Sequence, residues 1–467
     1  MVSNNYLVER VAAQIAPLLP AQSSILIGLS GGVDSVVLLH LLHKLAARYS
    51  WQLSALHVHH GISRNADAWA KFCADLCDRH RIPLRIEHVD IAPLRAHGIE
   101  AAARKLRLAA LYRQPCDFVV LAHHADDQAE TLLLQLLRGA GVRGASAMPV
   151  LITSDLSARG LSRMASSSIS PSKRPMLARR AGSPDLLRPL LHCSRREIAD
   201  YAAAYGLQWV EDESNSNDSY PRNFLRHRVM PLLDQHFPAY RDTLGRSAQH
   251  FAEASDLLDE LANQDAGQAM DGNTMQLAAL RELSPARAKN LLRYFLHAQG
   301  APMPQSAHLE EMLRQLCDAR QDAAVNVRYG DHQVRRYRDK VYLLPVATEL
   351  DHDFVLPWQG EAILDWPPLA TRLHFSHATG NGVSLQKLQR APLTLRLRRG
   401  AETLRPHPAA ANRTLKNLLQ QYHIPPWQRE RMPLLFCGEE LVCVVGLAID
   451  TRYKAMENED GVLVSCE

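Results

Sequence analysis

Two hydrophobic textures alternate through the first third of the chain. Short apolar runs at 25–29, 53–58, 84–89 and 117–121 are separated by stretches of helical spacing at 36–42, about 65–80, about 100–113 and about 126–138. Buried strands joined by helices at crossover spacing predict a parallel sheet with helices on both faces. Ligands of such sheets bind beyond the carboxyl ends of the strands, so chemistry-bearing residues should stand just after each one. Beyond 231 the spacing is helical at 240–261, 285–297 and 308–316, and 324–344 alternates in a way suited to a hairpin. Residues 350–390, with Pro357, Pro367, Pro368 and Gly380, lose any period and read as a connector or a partly strand-like bridge.

The residues after the first strand are Ser30-Gly31-Gly32-Val33-Asp34-Ser35. Paired glycines let backbone N–H groups approach an anion, and the helix that follows aims its positive end at the same place, so a nucleotide phosphate fits there. No Gly-Lys-Ser/Thr follows, which excludes the Walker loop. Asp34 beside phosphates makes chemical sense as a holder of Mg²⁺; the plainer alternative is a tight turn with Asp34 as a cap. The fold class expected is therefore α/β: a parallel-sheet nucleotide-binding domain at 1–225, a helical middle domain at 226–350, the connector 351–390 and a small α+β domain at 391–467.

The second strand ends in His57-Val58-His59-His60-Gly61. Too few further ligands stand nearby for zinc, which leaves a strand-end loop touching the nucleotide. On the next helix Arg104 and Arg107 are three apart on one face, as a solvated charged face or a functional one. After the fourth strand comes His123-His124-Ala125-Asp126-Asp127-Gln128-Ala129-Glu130-Thr131, where one turn of helix gathers three carboxylates suited to Mg²⁺ or a substrate ammonium. Arg138-Gly139-Ala140-Gly141 closes that helix. Later, Ser194 with Glu197 forms a capping-box pattern, and an acidic turn from Glu211 runs into a helix with Arg222 and Arg226 on one face.

The loop at 30–35 resembles the signature of the PP-loop ATP pyrophosphatases, which attack the α-phosphate of ATP and release pyrophosphate. Four ordered segments narrow the resemblance to the tRNA(Ile)-lysidine synthetases: this loop, His123 to Thr131 with the glycine turn, Glu211-Asp212-Glu213-Ser214-Asn215 leading to Arg222-Asn223 and Arg226, and Lys416 to Arg429. At 57–63 the chain departs from the family, with His59 for Asn and Ser63 for Arg. The resemblance implies ATP and Mg²⁺ as cofactors. It implies a CAU-anticodon isoleucine tRNA and free L-lysine as the other substrates. Nucleotide contacts fall to Ser30, Gly31, Gly32, Val33, Asp34, Ser35, His57 and His124, and the metal to Asp34 and Asp127. Catalytic roles fall to Asp34, Arg104, Asp127, Glu130 and Arg222, with Glu130 taking the lysine ammonium. Arg107, Arg138 and Arg226 are assigned to tRNA. A sulfur transferase on the same scaffold, an amidotransferase-type synthetase and a non-catalytic nucleotide-gated RNA binder are the rival readings.

Composition changes this picture in three places. The net charge of only +4 hides a basic segment at 391–431, where Arg396, Arg398, Arg399, Arg413 and Lys416 are candidate phosphate-backbone contacts. Eight scattered cysteines without a Cys-x-x-Cys pair fit reduced thiols in a cytoplasm and count against sulfur transfer. Residues 151–185, rich in Ser, Arg and Pro, read as a mobile insert beside the cleft, with Arg163, Lys173, Arg174, Arg179 and Arg180 as basic residues able to touch RNA. No export signal or membrane-length apolar run is visible, and no obligatory protein partner is implied.

Overall fold

The computed structural model describes residues 5–92, 99–153, 183–213, 217–320, 323–346, 350–351, 353–369, 371–407 and 413–466. The bulk of the expected insert, with its five basic residues, lies outside them. The chain divides into two compact units, Met1–Leu343 and Leu344–Glu467.

The first unit begins with the predicted alternation: α1 (Tyr6–Ile15), β1 (Ser24–Gly28), α2 (Val33–Tyr49), β2 (Gln52–His59), α3 (Ala66–His80), β3 (Leu84–His88), α4 (Ile99–Tyr112), β4 (Phe118–Val120), α5 (Ala125–Leu137) and α6 (Val142–Ala145). β5 (Leu151–Ile152), β6 (Asp185–Leu187) and α7 (Arg195–Ala204) follow. The six strands lie in the order β3-β2-β1-β4-β6-β5, all parallel except β5. Alternation along β1 explains the two layers. Ile25 and Ile27 join a core with α1, α2, α3 and α7, whereas Leu26 joins Leu56, Leu111 and Val119 on the opposite face. The strand order reverses between β1 and β4, so the crevice for a ligand opens where the loops after those two strands diverge.

The domain boundary expected at 225 does not divide the structure there. The long helix Tyr240–Ala266 packs on α5 and α6, with Ala129, Met230 and Tyr240 in one small core and Leu132, Ala145 and Ala248 in another. Residues 275–343 have their own core around Phe295, Leu309 and Val334. The hairpin expected at 324–344 is part of a five-stranded sheet, to which Met270–Asp271 and Thr274–Gln276 add two strands.

In the second unit the expected connector is instead structural. Val355–Pro357 pairs with Leu393–Arg396, Thr371–Thr379 pairs with Asp460–Cys466, and Trp358 and Trp366 lie in the same core as Leu395 and Leu435. Of the prolines that erased the period, Pro357 ends a strand, and Pro367 and Pro368 form a 3-10 turn after the strand Ile363–Trp366, so a missing N–H breaks no ladder. No helix among the described residues is long and apolar enough to cross a membrane.

Candidate active site

The reversal point opens into a cavity of about 730 Å³, a size suited to a small ligand. Ser30, Asp34 and Ser35 come from the loop after β1, His57 and His60 from the end of β2, Arg107 from α4, and His123 and Asp127 from the turn after β4.

The β1 loop is built for close approach. Gly31 has φ +89°, and a Cβ there would stand 2.8 Å from Val210 Cγ2, so a side chain is excluded twice over. Val210 N–H donates to the Gly31 carbonyl at 3.0 Å, holding the loop against the segment before Arg222. Ser35 Oγ accepts from the N–H groups of Ser30 (3.3 Å) and Gly31 (3.2 Å) and donates to the Gly32 carbonyl (2.9 Å). Gly32 caps α2 without a side-chain hydrogen bond, which leaves the first-turn donors facing the anion site. Asp34 stands in that turn with Oδ1 buried and no hydrogen-bond partner. Burial pushes its carboxyl up, against the opposing pull of His124. An orphaned carboxylate oxygen at a phosphate site suits a hard divalent cation.

The three histidines after β2 diverge. His57 Nδ1 donates to the Leu29 carbonyl at 2.9 Å, which leaves Nε2 as an acceptor, and burial lowers its pKa so that it is neutral. His59 pairs with Asp67 at 3.0 Å and packs on His88. His60 is held to about 4 by burial and by Arg107. No group of three His, Cys, Asp or Glu suited to a metal occurs among the described residues.

At the start of α5 two adjacent aspartates face opposite ways, not one face as their spacing suggested. Asp126 accepts from Arg195 N–H at 2.9 Å and from Arg241, tying α5 to α7 and the long helix. Asp127 turns to the cavity. Its Oδ2 accepts from His124 N–H at 3.1 Å, and Oδ1 accepts from Arg222 at 3.0 Å and Arg226 at 3.1 Å. Burial alone would raise its pKa, but His124, Arg222, His123 and Arg226 together hold it at about 2. His124 Nε2 lies 3.7 Å from Asp34 and 3.5 Å from Asp127, between the two expected metal ligands.

Glu130 departs from the expectation of an acidic pocket open to an ammonium. It is 1% exposed. Oε2 accepts from Arg222 Nε (2.7 Å) and Arg226 Nη2 (3.0 Å), and Oε1 from Arg226 Nε (2.7 Å). Both oxygens are taken, so in this state the carboxylate anchors two arginines. The chain makes that possible by carrying Arg222 and Arg226 across a helix Pro221–Phe224 and a π-helical turn Leu225–Val229, which turns both toward α5.

Other assigned residues scatter. Arg107 lines the cavity, and the charge of Arg104 reaches His123. Arg138 caps the far end of α5, about 20 Å along the helix from Ala125 at ~1.5 Å per residue. In the second unit, considered by itself, Arg396 pairs with Glu439 (3.1 Å), Arg398 with Glu402 (3.6 Å) and Arg399 with Asp353 (3.3 Å). Counting charge inside 391–431 missed the acids from outside it. Arg413 and Lys416 are exposed, and Arg413 donates to the neutral Gln421. Sequence reasoning passed over His123 and Arg188. Their signal was position, at the carboxyl ends of β4 and β6.

Comparison with known proteins fits this geometry. Residues 5–233 match a PP-loop domain, 275–342 a TilS substrate binding domain, and 393–466 a TilS substrate C-terminal domain. The tRNA(Ile)-lysidine synthase of Nitrosomonas europaea is 42% identical over 94% of this chain and 91% of its own. The chain belongs to the tRNA(Ile)-lysidine synthase family. Enzymes of the same name from an Azoarcus species and from Coxiella burnetii are 38% and 34% identical, over 97% and 95% of this chain and 92% and 93% of theirs. In this member of the family the PP-loop match ends just beyond Arg222 and Arg226, so both arginines that clasp α5 belong to the ATP-binding part.

Proposed function

We propose that the chain joins free L-lysine to C2 of the wobble cytidine of an isoleucine tRNA with a CAU anticodon. The C2 oxygen attacks the α-phosphorus of ATP, the bond to the pyrophosphate breaks, and an adenylated tRNA forms. The neutral ε-amine of lysine then attacks C2, the C2–O bond breaks, AMP leaves and the amine gives up a proton. The product pairs with A instead of G, and the codon read changes from AUG to AUA.

The observation that carries the reading is the cavity at the strand reversal, with phosphate donors, a neutral histidine acceptor and an ionised carboxylate converging on it in a chain of this family. First-turn donors of α2 and the loop N–H groups receive the phosphates. His57 Nε2 accepts from the base. Asp34, with Asp127 across His124, would hold Mg²⁺, which would offset the charge of the departing pyrophosphate. Arg222 and Arg226, fixed by Glu130, keep Asp127 ionised and in place. Arg107, which lines the cavity, and Arg104, whose charge reaches His123, would meet the reacting cytidine and its phosphate. Arg413 and Lys416 supply backbone contacts in the second unit.

Sulfur transfer would need a reactive thiolate at the cavity. Cys73 is the thiol nearest His57, at 3.5 Å, and burial pushes it up to about 12. Mass spectrometry of the wobble nucleoside after incubation with tRNA, ATP and lysine decides the matter. Cytidine carrying a lysyl group is the expected product; unchanged cytidine with ATP consumed, or a sulfur-bearing base, would overturn the reading.

A further inference from the structure

The stretch Leu187-Arg188-Pro189-Leu190-Leu191, where order resumes after the serine-rich residues, has no part in the reaction as described so far. Arg188 follows β6, which pairs in parallel with β4, and so reaches the turn where His123 lines the cavity. It is 5% exposed. Its Nε donates to His123 Nδ1 at 3.2 Å and its Nη1 to the Pro149 carbonyl at 2.7 Å. Among the described residues no carboxylate pairs with it. Burial of that unpaired charge pulls its pKa down to about 10, a cost that an apolar residue of the same length would avoid.

A guanidinium can only donate. The Arg188 contact therefore requires a lone pair on His123 Nδ1 and puts the ring proton on Nε2. Arg104 and Arg222 add positive charge around the ring and Asp127 opposes them. Nε2 has no hydrogen-bond partner among the described residues, on a ring that lines the cavity. We propose that Arg188 is a positioning residue that fixes His123 as a neutral, Nε2-protonated donor to a phosphate oxygen of the nucleotide. This rests on the cavity being the ATP site. A neutral donor strengthens its bond as charge builds on that oxygen and keeps its proton throughout.

A double-mutant cycle in the full chain tests it, with pyrophosphate release measured at saturating ATP and tRNA. His123→Ala is expected to lower kcat about 100-fold, as for loss of one oxyanion donor, while nucleotide affinity changes little. Arg188→Met should lower kcat about 10-fold, in the range for a residue that orients another. His123→Gln restores most of the rate, because its amide N–H reaches the place of Nε2 without help from Arg188. In that background Arg188→Met should cost nothing more. Nitrogen NMR of labelled histidine should report the Nε2–H form in the parent and a mixture in Arg188→Met, with thermal melts confirming that each variant folds. An equal loss from Arg188→Met in both backgrounds, or an Nδ1–H ring in the parent, overturns the proposal. Binding of a non-hydrolysable ATP analogue to the parent separates the causes: with binding intact, an additive cycle sinks Arg188 alone, whereas no binding sinks the ATP site and this role together.

Discussion

Replacing Glu130 with Gln separates two accounts of α5. If the carboxylate anchors Arg222 and Arg226, the change removes a charge that accepts three hydrogen bonds at 2.7, 2.7 and 3.0 Å. The Gln carbonyl in the place of Oε2 can keep two of them, while its NH₂ then faces the Arg226 Nε donor with a donor. Breaking a buried pair from one side costs about 3–5 kcal/mol. Here the loss is softened, since the arginine side chains are 20% and 23% exposed and each keeps its bond to the Asp127 carboxylate. About 3 kcal/mol of stability is the expected loss, read from urea unfolding of the full chain. The arginines would then no longer fix Asp127, and a misplacement of about 1 Å near the reacting atoms can cost on the order of 100-fold in rate. Pyrophosphate release without lysine should fall accordingly. A chase of trapped adenylated tRNA with limiting lysine completes the assay. Should Glu130→Gln unfold within about 0.5 kcal/mol of the parent, ordinary for surface changes, and release pyrophosphate normally while demanding far more lysine, the anchor account is wrong. Glu130 would then be the ammonium contact.

Three further outcomes follow from the same structure. Asp34→Ala should abolish lysine-independent pyrophosphate release while the chain stays folded, because it removes the buried orphan oxygen proposed to hold Mg²⁺; near-normal release would refute that role. Asp127 is depressed to about 2 when folded, so its stabilisation is present above the ordinary aspartate range near pH 4 and lost as pH falls toward 2; at ~1.4 kcal/mol per unit it amounts to about 2 kcal/mol. The stability gap between parent and Asp127→Asn should therefore be flat above about pH 5 and narrow below pH 4, and a gap that widens on acidification would contradict the sign. Removing the charges of Arg413 and Lys416 together should flatten the salt dependence of tRNA binding by between 1 and 2 units of log–log slope at ~0.7–0.9 per phosphate contact. Removing Arg396 and Arg399, already paired with Glu439 and Asp353, should change it less; the opposite order would place the RNA on the other face.

The sheet and its helices were readable because each signal was local: Ile25 and Ile27 alternate with Leu26, and Ser194 with Glu197 forms the expected reciprocal cap. The 351–390 strands were not, because Trp358 and Trp366 are buried by partners far along the chain and their short strands leave no period. The site divides the same way. Gly31 and Asp34 announce themselves in six residues, whereas the bonds of Glu130 come from residues 92 and 96 positions later.

That division bears on how the carboxylates of α5 should be understood. Spacing puts Asp126, Asp127 and Glu130 within one turn, and isolated on a helix they would repel one another and attract any cation. In the fold they divide between two sets of partners: Asp126 meets Arg241 and the backbone N–H of Arg195, whereas Asp127 and Glu130 share Arg222 and Arg226. The acidic turn is therefore already largely neutralised before any substrate arrives. A lysine ammonium entering here has to displace an arginine bond or find Asp127 Oδ2, the oxygen held by a single backbone N–H. Its selectivity over shorter amines then rests on reach to that one oxygen rather than on bulk negative charge. Ornithine, one methylene shorter, should accordingly lose rate more than it loses binding, and equal loss in kcat and in affinity would return the argument to a diffuse acidic pocket.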